Sequence, residues 1–162
     1  MSKEQFVAAL GGIFEHSPWI AEAAYAQLPA HSVEELHRVM LTAAWSAPRS
    51  QVEVLLRSHP DLATRLQVTP LSAAEQQGAG LDRLTPDEFQ LLTELNAAYT
   101  AKFGFPFILA VRGKNKDDII RSIGERVNRP LEEEWEQALA EVAKITSFRL
   151  HDLLPEAGGA SS

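Results

Sequence analysis

Five histidines, His16, His31, His37, His59 and His151, are the side chains of this sequence best able to move a proton near neutral pH. No two of them fall at the spacing of a helical metal pair such as His-Glu-x-x-His, so the sequence shows no metal site. There is no cysteine, which excludes a thiol nucleophile, a zinc–thiolate centre and an iron–sulfur cluster. A Gly-x-Ser-x-Gly elbow is absent, and the glycines form neither a phosphate loop nor a dinucleotide fingerprint. What remains is general acid–base chemistry by side chains alone, with no metal and no cofactor.

Within that class His59 leads. It precedes Pro60, and proline disfavours the helical conformation of the residue before it, so His59 is expected in extended backbone at a helix exit. A rigid scaffold can hold such a side chain toward a cleft. The competing and commoner reading is a histidine that only caps the last carbonyls of a helix. Glu75 comes second. Ser72-Ala-Ala-Glu75 also has the spacing of a capping box, so on the residues alone Glu75 reads as a cap, with Ser72 and Gln76 as surface polar residues. Arg112 and Arg149 have the donors to clamp a carboxylate, although such arginines more often form solvated ion pairs of little weight.

The elements that must position these residues read as helices. Phe6, Leu10, Ile13 and Phe14 predict a first amphipathic helix, and Ser17-Pro18 opens a second that runs to about Gln27. Ser32 to Glu35 has capping-box spacing and starts a helix that buries Leu36, Val39, Met40 and Ala43. Pro48 opens another with Val52, Leu55 and Leu56 inward. Ser72 starts a short helix stopped by Gly78 and Gly80. Thr85-Pro-Asp-Glu88 opens a long one, carrying Phe89, Leu92, Leu95, Asn96 and Tyr99, that Gly104 closes. Two more helices follow, from about Lys116 to Val127 and from Pro130 to Leu154, the latter with Leu131, Trp135, Leu139, Val142, Ile145 and Leu150 inward. Phe105 to Val111 breaks the pattern as a continuous apolar run. Alone it would be a buried strand, but no strand of similar strength exists to pair with it. It is read as a buried extended connector whose amides need partners other than a sheet, a bound ligand being one such partner.

The expected fold is therefore all-α, a single-domain helical bundle over 1–162 with a buried extended segment near 105–111 and a frayed tail at 156–162. The length of 162 residues suits one domain, and 45% hydrophobic residues suffice for a core. A net charge of −7 with no basic run speaks against nucleic acid, and Glu132 to Glu134 read as solvated surface. No apolar run reaches the roughly 18 residues needed to span a bilayer. Met1-Ser-Lys-Glu-Gln5 lacks a signal-peptide core, and Gly158 to Ser162 is not a peroxisomal address, so a soluble cytoplasmic protein is expected.

Four segments carry a resemblance: His59-Pro-Asp-Leu-Ala63, Ser72-Ala-Ala-Glu-Gln76, Leu95-Asn-Ala-Ala-Tyr99 with Lys102-Phe-Gly-Phe-Pro-Phe-Ile108, and Ile145-Thr-Ser-Phe-Arg-Leu150. Together with Ser17-Pro-Trp-Ile-Ala21 they resemble, in the same order, the 2-oxo-4-hydroxy-4-carboxy-5-ureidoimidazoline (OHCU) decarboxylases. Each motif is weak alone; the ordered set covers nearly the whole chain and is specific.

The resemblance implies an all-α fold without cofactor, members that commonly pair as homodimers, and loss of CO2 from OHCU to give (S)-allantoin in urate breakdown. It makes His59 the catalytic acid/base and Glu75 its polar partner across the substrate, reversing the order of readings given above. It implies a pocket lined by Pro60, Ser72 and Gln76, with Ala73 and Ala74 between them. It also implies that the backbone of Phe107, Ile108, Leu109, Ala110 and Val111 contacts the heterocycle. Arg149 matches a family arginine near the pocket, whereas the position of Arg112 varies. Two rival readings stand beside this one: a helical interaction module with an apolar groove, and a related lyase for another ureido or imidazole substrate.

Overall fold

The computed structural model describes residues 2–59 and 70–154, with only the backbone of Pro70 and Ser72. Among the described residues eight helices carry the regular structure and no strand occurs, as an all-α reading requires. The chain clusters into two compact units, Met1–Ser58 with Ala143–Ser162, and His59–Val142.

The first unit begins with α1 (Lys3–Leu10), whose N-terminus Ser2 and Gln5 close as a reciprocal capping box. The expectation that Ile13 and Phe14 extend this helix is corrected. Gly11 and Gly12 end it, since glycine is a poor helix residue, and Ile13 and Phe14 bury themselves from the following turn instead. Gly11 is sterically required, because a Cβ there would lie 2.5 Å from the Val7 carbonyl oxygen. The second helix, α2 (Pro18–Tyr25), starts at Ser17-Pro18 as expected but stops short of Gln27. Ser17 does not cap it with its side chain; its hydroxyl donates to the Glu15 carbonyl at 2.9 Å.

Helix α3 (Val33–Trp45) is capped by Ser32, which accepts from Glu35 N–H at 3.0 Å. The box is half-formed, because Glu35 takes its return bond from His31 N–H rather than from Ser32. Leu36 and Met40 are buried as expected, whereas Val39 and Ala43 are only half-buried and Ala44 takes the inward place. Helix α4 (Arg49–Arg57) follows Pro48 and buries Val52, Leu55 and Leu56. Helix α1 packs on α2, and α2 on α3.

The second unit holds α5 (Pro70–Gly78), α6 (Pro86–Phe103), α7 (Lys116–Arg126) and the first half of α8 (Leu131–Leu153). Thr85 and Glu88 form the expected reciprocal box at the start of α6, and Gly104, at φ 80°, ends it in the left-handed conformation that glycine tolerates. Along α6, Leu92, Asn96 and Tyr99 face inward; Phe89 and Leu95 are half-buried. Residues 106–111 then run without turn or bend, every side chain buried. Tyr99, Phe103, Phe105, Phe107 and Trp135 form one aromatic cluster, with the Tyr99 and Phe107 rings edge-to-face at 5.4 Å.

On α8 the expected apolar stripe is only partly right. Leu131 is exposed and Leu139 half-buried, whereas Glu134 and Glu141 are buried with Ala138 and Val142. Glu134 is thus corrected from solvated surface to core. It is inward because positive and hydroxyl partners meet it there, which removes the cost of burying a lone carboxylate.

Candidate active site

His59 lies at a bend just past Ser58, the C-cap of α4, and is 7% exposed. The histidine is therefore held at an element end and largely out of water. Pro60 lies outside the described residues.

Helix α5 carries the second motif. It begins at Pro70, so Ser72 sits inside it rather than ahead of it, and the capping-box reading of Ser72 and Glu75 is overturned. Proline suits a helix's first turn, and here it supplies the start that the serine suggested. Ala73 and Ala74 are exposed; Glu75 and Gln76 are half-buried. The C-terminus of α5 is fixed as a Schellman cap. Leu81 N–H donates to the Gln76 carbonyl at 3.0 Å, Gly80 N–H donates to the Gln77 carbonyl at 3.0 Å, and Gly80 takes φ +81°. The helix stop expected at Gly78 and Gly80 is found there, one turn beyond Glu75 and Gln76.

Within the buried run 107–111, side chains take the place of a sheet at two main-chain groups. Arg126 Nη1 donates to the Ile108 carbonyl at 2.8 Å, and Glu141 Oε1 accepts from Ala110 N–H at 2.9 Å. Arg126 also donates through Nε to Glu134 Oε1 at 2.8 Å and lies 4.4 Å from the Phe107 ring centre, a cation–π contact. Tyr99 Oη donates to the same Glu134 oxygen at 2.6 Å, Arg129 lies 3.5 Å from the other, and Gln137 donates to Glu141 Oε2 at 2.7 Å. Burial, then the bond to Glu134, pushes the Tyr99 phenol far up, so it stays a donor.

Arg149 belongs to the first unit. Its Nη2 donates to Glu15 Oε1 at 2.8 Å and its Nη1 to the Ile13 carbonyl at 3.2 Å, with the two side chains 3% and 1% exposed. Arg112 is exposed. Thus His59, Glu75, Gln76 and 107–111 share one compact unit, and Arg149 holds a buried carboxylate in the other. Among the described residues no group of three or more His, Asp or Glu side chains is arranged to hold a metal ion.

Arg126, Glu134 and Glu141 escaped the sequence reading. A signal existed, since Glu134 and Glu141 fall in phase with Ala138 and Ile145 along α8.

Comparison with known proteins places this architecture. A family model described as OHCU decarboxylase matches residues 1–151. An OHCU decarboxylase of Haloferax volcanii is 41% identical over 150 residues, covering 93% of this chain and 89% of that one. A bifunctional uric acid degradation protein of Bacillus sp. (strain TB-90) is 42% identical over 156 residues, which is 96% of this chain but only 31% of that one. The chain therefore spans about a third of the length of that relative. Among solved structures, (S)-allantoin synthase superposes with a TM-score of 0.75 at 31% identity, over 94% of this chain and 51% of that one. The chain belongs to the OHCU decarboxylase family.

Proposed function

We propose that this chain removes CO2 from OHCU and releases (S)-allantoin, as a step of urate degradation. The family match across residues 1–151 carries the reading, and relatives of nearly the same length bear that activity as their name. In OHCU one ring carbon bears both the carboxylate and a hydroxyl, next to a C=N bond. When CO2 leaves, its bonding pair forms a C=C bond to the neighbouring carbon and the imine pair moves to nitrogen. That nitrogen takes up a proton, and return of a proton to the neighbouring carbon, with loss of the hydroxyl proton, gives the ring carbonyl of allantoin, so one proton is consumed for each carboxylate lost. No metal or cofactor is required by this electron flow.

In this proposal His59 takes or relays the hydroxyl proton, and Glu75 sets its orientation and charge. Pro60, Ser72, Ala73, Ala74 and Gln76 line the pocket, and main-chain groups of 107–111 hold the ring and stabilise developing charge. Protonation on one face of a closed site makes the product optically pure. Arg149 is proposed near the substrate on the family resemblance. A homodimer and a cytoplasmic location belong to the same proposal, and sedimentation of the purified chain tests the first. No helix among the described residues is long and apolar enough to cross a membrane.

The test generates OHCU in situ from urate with urate oxidase and 5-hydroxyisourate hydrolase, then follows absorbance decay and optical rotation. Faster decay with only dextrorotatory (S)-allantoin is expected. Unchanged decay to racemic allantoin would overturn the proposal. His59→Asn should cost roughly 10²–10⁴ in turnover with the melting temperature kept. Glu75→Gln should also lose turnover without loss of stability, since Glu75 is not the cap of α5.

A further inference from the structure

We infer that Arg126 and Glu141 are positioning residues that fix the main chain of Leu109 toward the substrate, an inference resting on the decarboxylase reading above. Two peptide units join Ile108, Leu109 and Ala110, and neither is cis. In a planar trans unit the C=O and the N–H point in opposite directions. Arg126 holds the Ile108 carbonyl at 2.8 Å, so Leu109 N–H, in the same unit, points away from Arg126. Glu141 holds Ala110 N–H at 2.9 Å, so the Leu109 carbonyl points away from Glu141. The stretch runs without bend, and in such backbone the N–H and C=O of one residue face the same side.

Leu109 therefore offers one donor and one acceptor side by side, opposite the two anchors. That pair complements the adjacent N–H and C=O of a ureido group or a ring amide. The anchors cannot swing. Arg126 is clamped by Glu134 at 2.8 Å and by the Phe107 ring, Glu134 by Tyr99 at 2.6 Å, and Glu141 by Gln137 at 2.7 Å. Rotating either unit would break a buried charge-assisted bond, which is stronger than a neutral one. The acidic and basic side chains thus do for one residue what a neighbouring strand would do in a sheet.

Two variants of Glu141 separate positioning from a charge or proton role. Glu141→Gln keeps an acceptor oxygen at the same reach and loses the charge. Glu141→Asp keeps the charge and stops one methylene short of Ala110 N–H. With OHCU made in situ, kcat and KM are measured alongside thermal melts. Positioning predicts Glu141→Gln within about 3-fold of the parent chain and Glu141→Asp down by about 10–100-fold, chiefly in kcat, as for a misplaced main-chain donor. The reverse order, or parent-level turnover in both, overturns the inference.

Arg126→Lys tests the other anchor. Lysine reaches Glu134 or the Ile108 carbonyl but not both, so a kcat loss of about 10-fold or more is expected, and a parent-level kcat counts against the inference. A parent chain with no turnover sinks the decarboxylase reading, and this inference with it. An active parent with indifferent Glu141 variants sinks this inference alone.

Discussion

Arg149 is the residue at which a structural task and a binding task make opposite predictions. Removing it as Arg149→Met takes the 2.8 Å charged donor from the Glu15 carboxylate, which is 1% exposed, and a donor from the Ile13 carbonyl. Breaking a buried pair from one side costs about 3–5 kcal/mol, because the remaining charge is stranded. That is a large share of the roughly 5–15 kcal/mol that holds a domain folded. For a chain of this length each kcal/mol moves Tm by about 2–4 °C, so a drop of roughly 6–20 °C is expected.

The double variant Glu15→Met with Arg149→Met removes both charges. Replacing a whole buried pair by apolar side chains is often neutral, so the double variant should recover most of the loss, a coupling that a double-mutant cycle reads directly. Turnover then decides the role. If Arg149 only holds Glu15, the double variant recovers OHCU decay as well as Tm. If Arg149 also binds the substrate carboxylate, stability returns but kcat/KM stays down by about 10–100-fold, the worth of one hydrogen bond to a charge. A single Arg149→Met chain within about 1 kcal/mol of the parent would refute the buried-pair reasoning itself.

Three further outcomes follow from the same geometry. Tyr99→Phe deletes a buried bond to the Glu134 carboxylate and should cost about 1.5–3 kcal/mol in denaturant melts; a loss under about 0.5 kcal/mol would mean that Arg126 and Arg129 satisfy Glu134 without the phenol. Gly80→Ala forces a side chain into φ +81° with open space around it, so the cost is conformational, about 1 kcal/mol; an unchanged Tm would refute the Schellman cap at the end of α5. Two histidines of the first unit should titrate with opposite signs. Burial, then nearby His151, holds the His37 imidazole below its ordinary 6.5, while its Nε2 shares a hydrogen bond with the Thr146 hydroxyl at 2.9 Å. The folded chain thus takes up this proton less readily than the unfolded one, and stability present above pH 6.5 is lost as pH falls. The bond to the Ser147 carbonyl, then Glu34, raises His151, whose contribution is present below 6.5 and lost as pH rises through its folded value. Melts across about pH 5–8 should show His37→Gln flattening the acid-side loss and His151→Gln flattening the loss on the other side; unchanged slopes in both would refute the assignment.

The features legible in the sequence are those that depend only on neighbours along the chain. Thr85 and Glu88 cap α6 because their spacing alone closes the box, and Gly104 and Gly80 end their helices because they take a positive φ at little cost. The same locality misled at Ser72 to Glu75, where the box spacing is present but Pro70 had already started the helix. Glu134 failed for a different reason. Whether a carboxylate in phase with an apolar stripe faces inward depends on partners the local sequence does not hold. Here they are Tyr99, 35 residues away, and Arg126, 8 residues away.

The two surprises are linked. The 105–111 run reads as a strand with no strand to pair with, so its amides had to be bonded by something else. Main-chain donors buried without a sheet call for acceptors on long side chains, and main-chain acceptors call for long donors. A charged residue in phase with a helix's apolar stripe, in a chain that also carries an unpaired strand-like run, is therefore more than a solvated face. In this chain Glu141 and Arg126 take that part directly, and Glu134 takes it through Arg126. The same phase along α8 reaches Arg149, which is buried against Glu15. The charges least expected in the core are thus the ones that hold both the buried 107–111 main chain and the first unit's turn in place.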